Sequence, residues 1–351
     1  MWEMLGDAGR VALIGGAGGL VLGLAARLGR FCTLGAIEDL LYGGSAHRLR
    51  MWGLAIGVAM MASFALMGGG LLDARATPYL ATAWNPVAHI VGGLVFGYGM
   101  AIAGNCGFGA LARLGGGDLR SFLIVLVMGI SAYVVMSGPL AELRLIIFPP
   151  NLIETGGVTG LAHLAGGVTG LAPTAFGLAA GAIIALVALA DAGFRAERKM
   201  LFWGVMVGLA VGFAWGGTQW LATDSFGATQ VEAFTFAAPL GEAILYAMTA
   251  SGTALTFAVG SVAGVWVGAF AGSLWLGHFR WEACDDPREL RRQIFGAAMM
   301  GGGAVVALGC TIGQGLSAIS VLSYGAPLSM AAIFMGAALG LRHLISGFAS
   351  A

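Results

Sequence analysis

Nine apolar runs, at residues 11–26, 51–72, 87–104, 119–138, 175–191, 200–220, 252–276, 294–309 and 326–346, divide this chain from end to end. Each is near or above the roughly 17 residues a helix needs to cross a lipid bilayer. Backbone inside hydrocarbon must satisfy its own N–H and C=O groups, so only helices and closed barrels can span. Continuous apolar runs specify helices, because a barrel strand alternates in polarity and is about ten residues long. The charged fraction, 10% of the 351 residues, agrees, since soluble domains carry about 25%. Six shorter apolar pieces lie between the runs, at about 33–42, 107–115, 140–148, 157–171, 239–249 and 311–322. They are too short to cross and read as half-helices or re-entrant segments. The fold class is therefore an all-α polytopic membrane protein, one membrane domain over residues 1–351, with about nine transmembrane helices plus several short half-helices.

Orientation follows from the basic residues, which concentrate in cytoplasmic loops. One set of loops holds Arg48, Arg50, Arg113, Arg120, Arg195, Arg198, Lys199, Arg280, Arg288, Arg291, Arg292 and Arg342. The opposite set holds only Arg10, Arg75 and Arg144. The bias puts the N-terminus outside and the C-terminus in the cytoplasm, as nine crossings require. The first run is followed by Arg27 and Arg30 rather than a small-residue cleavage site, so no cleavable signal peptide is expected. A net charge of zero gives no case for nucleic acid.

The chain repeats itself. Residues 19–25 (GLVLGLA) resemble 208–214 (GLAVGFA), and the interval from Phe96 to Cys106 matches that from Met300 to Cys310. Residues 11–138 and 200–346 then form two copies of one unit joined by 139–199. Their matching loops, 73–86 and 278–292, fall on opposite sides, which makes the repeat inverted, a transporter architecture with its site near the midplane. The second-copy equivalent of Cys32 is expected near Leu221.

Three of the four cysteines sit at glycine-rich breaks, each followed by a short helical piece: GRFCTLGAIED around Cys32, GNCGFGALARLGGGDLRS around Cys106 and GCTIGQGLS around Cys310. The first N–H groups of a helix have no partner and, with the helix dipole, favour an anion. Gly107, Gly109, Gly309, Thr311 and Gly313 allow close backbone approach. Two such helix starts meeting from opposite sides would hold a small anion without a basic residue in the membrane. The polarizable thiol favours a soft, sulfur-bearing anion.

These three motifs, in this order over residues 10–347, resemble the YeeE/YedE family of sulfur transporters. The resemblance implies an hourglass-shaped protein of the bacterial inner membrane. It implies uptake of thiosulfate, passed between the thiols of Cys106, Cys310 and Cys32 by S–H···S hydrogen bonds. It also implies, as a partner, a cytoplasmic sulfur-carrier protein of the TusA type, with residues 278–292 as a dock. Asn105 stands where the resemblance leads one to expect glycine, which adds a donor or marks a related sulfur or selenium substrate.

Blander readings exist for each residue. Buried cysteines are often inert small hydrophobes. Arg27 and Arg30 are read as snorkelling to the interface, or else as an exit station for the anion leaving Cys32. Arg113 and Arg120 read as cytoplasmic anchors, and Gln314 as a substrate ligand or a tie between helices. Cys284, in a charged loop, reads as incidental. Scattered histidines and the lack of a CxxC pair give no metal site, and no cofactor is implied. The alternative activity is a membrane thiol oxidoreductase or sulfurtransferase, against which stands the lack of a histidine or lysine beside the three thiols. A scaffold with no transport function is the third reading.

Overall fold

The computed structural model describes residues 6–82, 84–149, 158, 160–225, 229–283 and 286–349. In chain order the first helices are α1 (Asp7–Leu28), α2 (Thr33–Leu41), α3 (His47–Gly68), α4 (Pro78–Ala81) and α5 (Pro86–Ala103). They are followed by α6 (Gly107–Leu114), α7 (Leu119–Met136), α8 (Ala141–Ile147), α9 (Leu161–Thr169), α10 (Pro173–Leu189) and α11 (Ala192–Ala196). The last are α12 (Arg198–Asp224), α13 (Ala238–Thr249), α14 (Phe257–Trp275), α15 (Pro287–Val306) and α16 (Gly325–Ala349). Between α15 and α16, residues 311–320 form one more short helix, π-helical over Gly313–Ala318.

The nine apolar runs each become a helix: α1, α3, α5, α7, α10, α12, α14, α15 and α16. Seven of these are long and apolar enough on their own to cross a bilayer. The other two are α10, with 17 residues, and α15, whose first turns carry Arg288, Arg291 and Arg292. The half-helices also form where expected, as α2, α6, α8, α9, α13 and residues 311–320. Residues 157 and 159, at the start of the fourth of these, lie outside the described residues, as does Cys284.

Helix starts follow local chemistry. Asn85 Oδ1 accepts the Ala88 N–H with Pro86 in the first turn of α5, and Thr256 Oγ1 accepts the Val259 N–H of α14. Such capping satisfies donors that a helix start leaves open.

Small residues set the packing. On α1, Gly15, Gly19 and Gly23 lie against the backbone of Phe257, Ser261 and Val265. On α14, Gly260, Gly264 and Gly268 lie against that of Ala12, Gly16 and Leu20. Numbers rise together, so the pair is parallel, and a Cβ at any of these six glycines would run into backbone. Three further parallel pairs use the same device. Gly204, Gly208 and Gly212 of α12 meet Met51, Ala55 and Ala62 of α3. Gly93 and Gly97 of α5 meet Ser329 and Ile333 of α16, and Gly301 of α15 meets Met128 of α7. Without water to drive association, close backbone contact of this kind is the main attraction between membrane helices. At the centre α5 crosses α15 antiparallel, Gly92 beside Gly303 and Gly99 beside Gly296.

At the end of the bundle where α1 and α5 finish, the segment after α14 is tied to the turn after α6. Arg280 N–H donates to Gly116 O, Glu282 N–H to Gly117 O and Leu119 N–H to Glu282 O. The Arg120 guanidinium reaches Asp118, Glu282 and Glu289 across this joint.

Candidate functional site

The three cysteine breaks share one backbone device. The residue two before each cysteine is left-handed: Arg30 at φ 57°, Gly104 at φ 75° and Leu308 at φ 58°. Glycine takes this conformation without strain, but arginine and leucine adopt it at a cost. Its presence at all three breaks shows that the turn before the thiol is a built feature.

Each sulfur then accepts a backbone N–H. Cys32 and Cys106 are N-cap residues, Sγ accepting from Gly35 N–H at 3.5 Å and from Gly109 N–H at 3.3 Å. Cys310 is served from elsewhere in the chain: its Sγ accepts from Phe236 N–H at 3.2 Å, with Thr235 Oγ1 at 3.7 Å. That donor sits just before α13, in an irregular stretch, residues 229–237. A lone pair engaged in this way leaves the S–H proton available to a passing acceptor.

The starts of four short helices therefore gather at one place. Cys32 begins α2, Cys106 begins α6, and Thr311 begins the helix after Cys310. Phe236, against Cys310, leads into α13. Cys106 lies within electrostatic range of both Cys32 and Cys310, and the Thr311 hydroxyl stands beside it without a well-formed hydrogen bond. Cys106 thus neighbours both other thiols, and Cys106 and Cys310 are each only 1% exposed. All three are free thiols.

A cavity opens at either end of this row. On the Cys310 side, one of about 110 Å³ is lined by Tyr79, Trp84, His89, Leu308, Gln314 and Tyr324, among others. On the Cys32 side, one of about 400 Å³ contains Cys32 itself with Arg27, Arg30, Arg48, Asn105 and Arg113. A groove of about 320 Å³ between α7 and α13 is almost wholly apolar and stands away from the thiols.

Several motif side chains keep a buried polar atom without a partner: Thr33 Oγ1, Asn105 Nδ2, Thr311 Oγ1 and Gln314 Oε1. Native interiors rarely leave such atoms unpaired, and four of them at the thiol breaks mark a place for something polar. The Gln314 amide nitrogen is occupied, donating to Ala307 O and Leu308 O at 2.9 Å each. It holds the left-handed break shut, so its tying role is structural and its oxygen remains open.

The expected glycines pack where side chains would collide. A Cβ at Gly107 would meet Met128 Sδ, one at Gly109 would meet Asn105 Oδ1, and one at Gly313 would meet Thr235 Oγ1. Gly309 adopts φ 154° beside Gln314. Arg30, exposed, and Arg27, partly buried, both line the Cys32 cavity. Arg113 lines it too, whereas Arg120 is held in the ion-pair joint. Tyr79, from the short helix α4, and Thr235 and Phe236, from the loop before α13, escaped the sequence reading, because no motif marks them. Among the described residues, no group of three metal-ligating side chains occurs.

The comparisons with known proteins now bear on this geometry. Residues 28–339 match the family model described as sulphur transport. A thiosulfate transporter TsuA of Escherichia coli (strain K12) is 24% identical over 347 residues, covering 91% of this chain and 90% of that protein. Another, from Spirochaeta thermophila, is 30% identical over 120 residues, 34% of this chain and 35% of its own. With the family model spanning all three cysteine breaks, the chain belongs to the sulphur transport family.

Proposed function

We propose that the protein takes up thiosulfate through the bacterial inner membrane, with its N-terminus outside and its C-terminus in the cytoplasm. The anion enters by the cavity at Gln314 and Tyr79. It passes Cys310, then Cys106, then Cys32, and leaves by the arginine-lined cavity. The reading is supported by one observation: Cys106 neighbours both Cys310 and Cys32, with one cavity holding Cys32 and another lined by Leu308 and Gln314 next to the Cys310 break. Family membership and the TsuA relatives supply the substrate.

Chemistry agrees with this choice. Thiosulfate carries hard oxygens and one soft terminal sulfur. Helix-start N–H groups receive the oxygens, and each S–H donates to the terminal sulfur while its own lone pair stays on a backbone N–H. No bond is made or broken, so the protein acts as a transporter and not as an enzyme. A covalent route would need a base to raise the thiolate fraction, and the hydrogen bonds described for Cys106 and Cys310 come from backbone N–H groups and the Thr235 hydroxyl.

We also propose that residues 11–138 and 200–346 are inverted copies. The parallel pair α1 with α14 has its counterpart in α12 with α3, and α5 with α16 in α15 with α7. A TusA-type sulfur carrier docks, in this reading, at residues 278–292, where Arg288 and Arg291 are exposed.

The test is growth on thiosulfate as sole sulfur source, in cells that otherwise cannot import it. Cys32→Ala, Cys106→Ala and Cys310→Ala strains are expected to stop growing, and the Cys284→Ala strain to grow normally. Normal growth of the Cys310→Ala strain would overturn the relay. Release of sulfite from thiosulfate by the purified protein would restore the enzyme reading.

A further inference from the structure

We infer that the cavity beyond Cys32 is an oxoanion-binding site in its own right, built for the oxygens of a tetrahedral dianion and indifferent to whether it carries a soft sulfur. The inference deepens the transport reading and rests on it for direction only.

The basic groups here exceed what an interface anchor explains. Arg27 from α1, Arg30 from the first break, Arg113 from α6 and Lys199 from α12 all line the cavity. None of the four forms an ion pair with a described carboxylate. Arg48, also lining it, is matched by Asp39 at 3.1 Å. Glu38 is the one acid on the wall among the described residues. The carboxylates in electrostatic range of Arg27 are Asp118 and Glu282. Both are engaged by Arg120, and Glu282 by Arg280 as well. Glu38 lies in electrostatic range of Arg113 and Arg48, so the basic charge is offset in part and the chamber keeps a positive excess.

Arg27 is also not snorkelling freely. One end of its guanidinium lies against Gly116, where a Cβ would overlap it, and its Nε is buried with no partner. Asn105 faces the same cavity, is 2% exposed, and has an unpartnered Nδ2. A guanidinium and an amide both left with open donors in a basic chamber call for an acceptor with several oxygens. Cations are excluded by charge. Monovalent halide would leave most donors unused, whereas a tetrahedral dianion presents an oxygen to each.

No thiol chemistry enters this recognition, so sulfate is as good a ligand here as thiosulfate. The row of thiols then selects what crosses, and the chamber holds what has crossed. Cytoplasmic sulfate competes for the chamber and so blocks the return of thiosulfate to it.

The test uses the full-length protein in lipid nanodiscs, titrated with sodium sulfate at constant ionic strength by calorimetry. Saturable binding is expected in the wild type and in Cys310→Ala. Arg27→Gln and Arg113→Gln should each weaken it about tenfold or more, the range for losing a charge-assisted contact. Asn105→Gly should weaken it about two- to tenfold, as for a neutral hydrogen bond. Thermal melting of each variant shows whether it is folded, and Arg75→Gln, whose side chain lines neither cavity, serves as the charge control with unchanged affinity. Absence of saturable binding, or equal weakening by Arg75→Gln, would overturn the site. Thiosulfate uptake into vesicles is measured in parallel. Sulfate binding that needs Arg27 and Arg113 in a protein that moves no thiosulfate would sink the transport reading and leave the site standing. Uptake without sulfate binding would do the reverse.

Discussion

Each thiol in the row has its sulfur on a backbone N–H, and this fixes which half of the thiol is free. Serine at Cys106 would keep a donor but lose the polarizable atom, so Cys106→Ser is expected to lower thiosulfate uptake by about tenfold or more while the protein stays folded. The backbone device can be tested separately. Gly104→Val forces a β-branched residue into φ 75° and should cost about 1–2 kcal/mol or more in thermal unfolding. Leu308→Gly, which relieves the same strain at φ 58°, should cost little. The cysteines, Asn105 and the glycines were legible in the sequence because their spacing repeats. The left-handed turn was not, because Arg30 and Leu308 carry no glycine signal. Arg113 read as an anchor, since its charge alone does not reveal that α6 turns it toward Cys32.

At the scale of elements, hydropathy located every crossing helix and every half-helix, because in lipid the apolar length of a segment decides its fate. What it could not show is how far a break extends. The expected counterpart of Cys32, near Leu221, lies inside α12, which continues to Asp224. In element order the matching N-cap is Ala237, before α13, after an irregular stretch that supplies the N–H for Cys310. Helix pairing was legible only as an abundance of glycine. Gly19→Leu, which drives a side chain into the Ser261 carbonyl, should destabilise the α1–α14 pair by about 1–3 kcal/mol or more. Gly16→Ala, whose Cβ would be 3.6 Å from Gly260 O, should be tolerated, and yields of folded protein with melting curves check both.

Across the whole molecule, basic residues that the sequence groups on one side gather around one cavity. Arg27, Arg30, Arg48, Arg113 and Lys199, read from the sequence as belonging to one side or its border, share a single chamber. Arg10, assigned to the other side, pairs with Asp224 at the far end of α12. A fluorescent reporter fused to the C-terminus should therefore light up in the cytoplasm, and a periplasm-dependent phosphatase fused there should stay silent. The reverse result would invert the path. The four parallel pairs carry one more consequence. Each joins a helix before residue 137 to one after residue 197, backbone against backbone, so the two halves are clasped like interlaced fingers. A rocker-switch cycle would have to pull every clasp apart. Transport in such a frame works by small rearrangements at the breaks, and a covalent staple between α1 and α14 should leave uptake running.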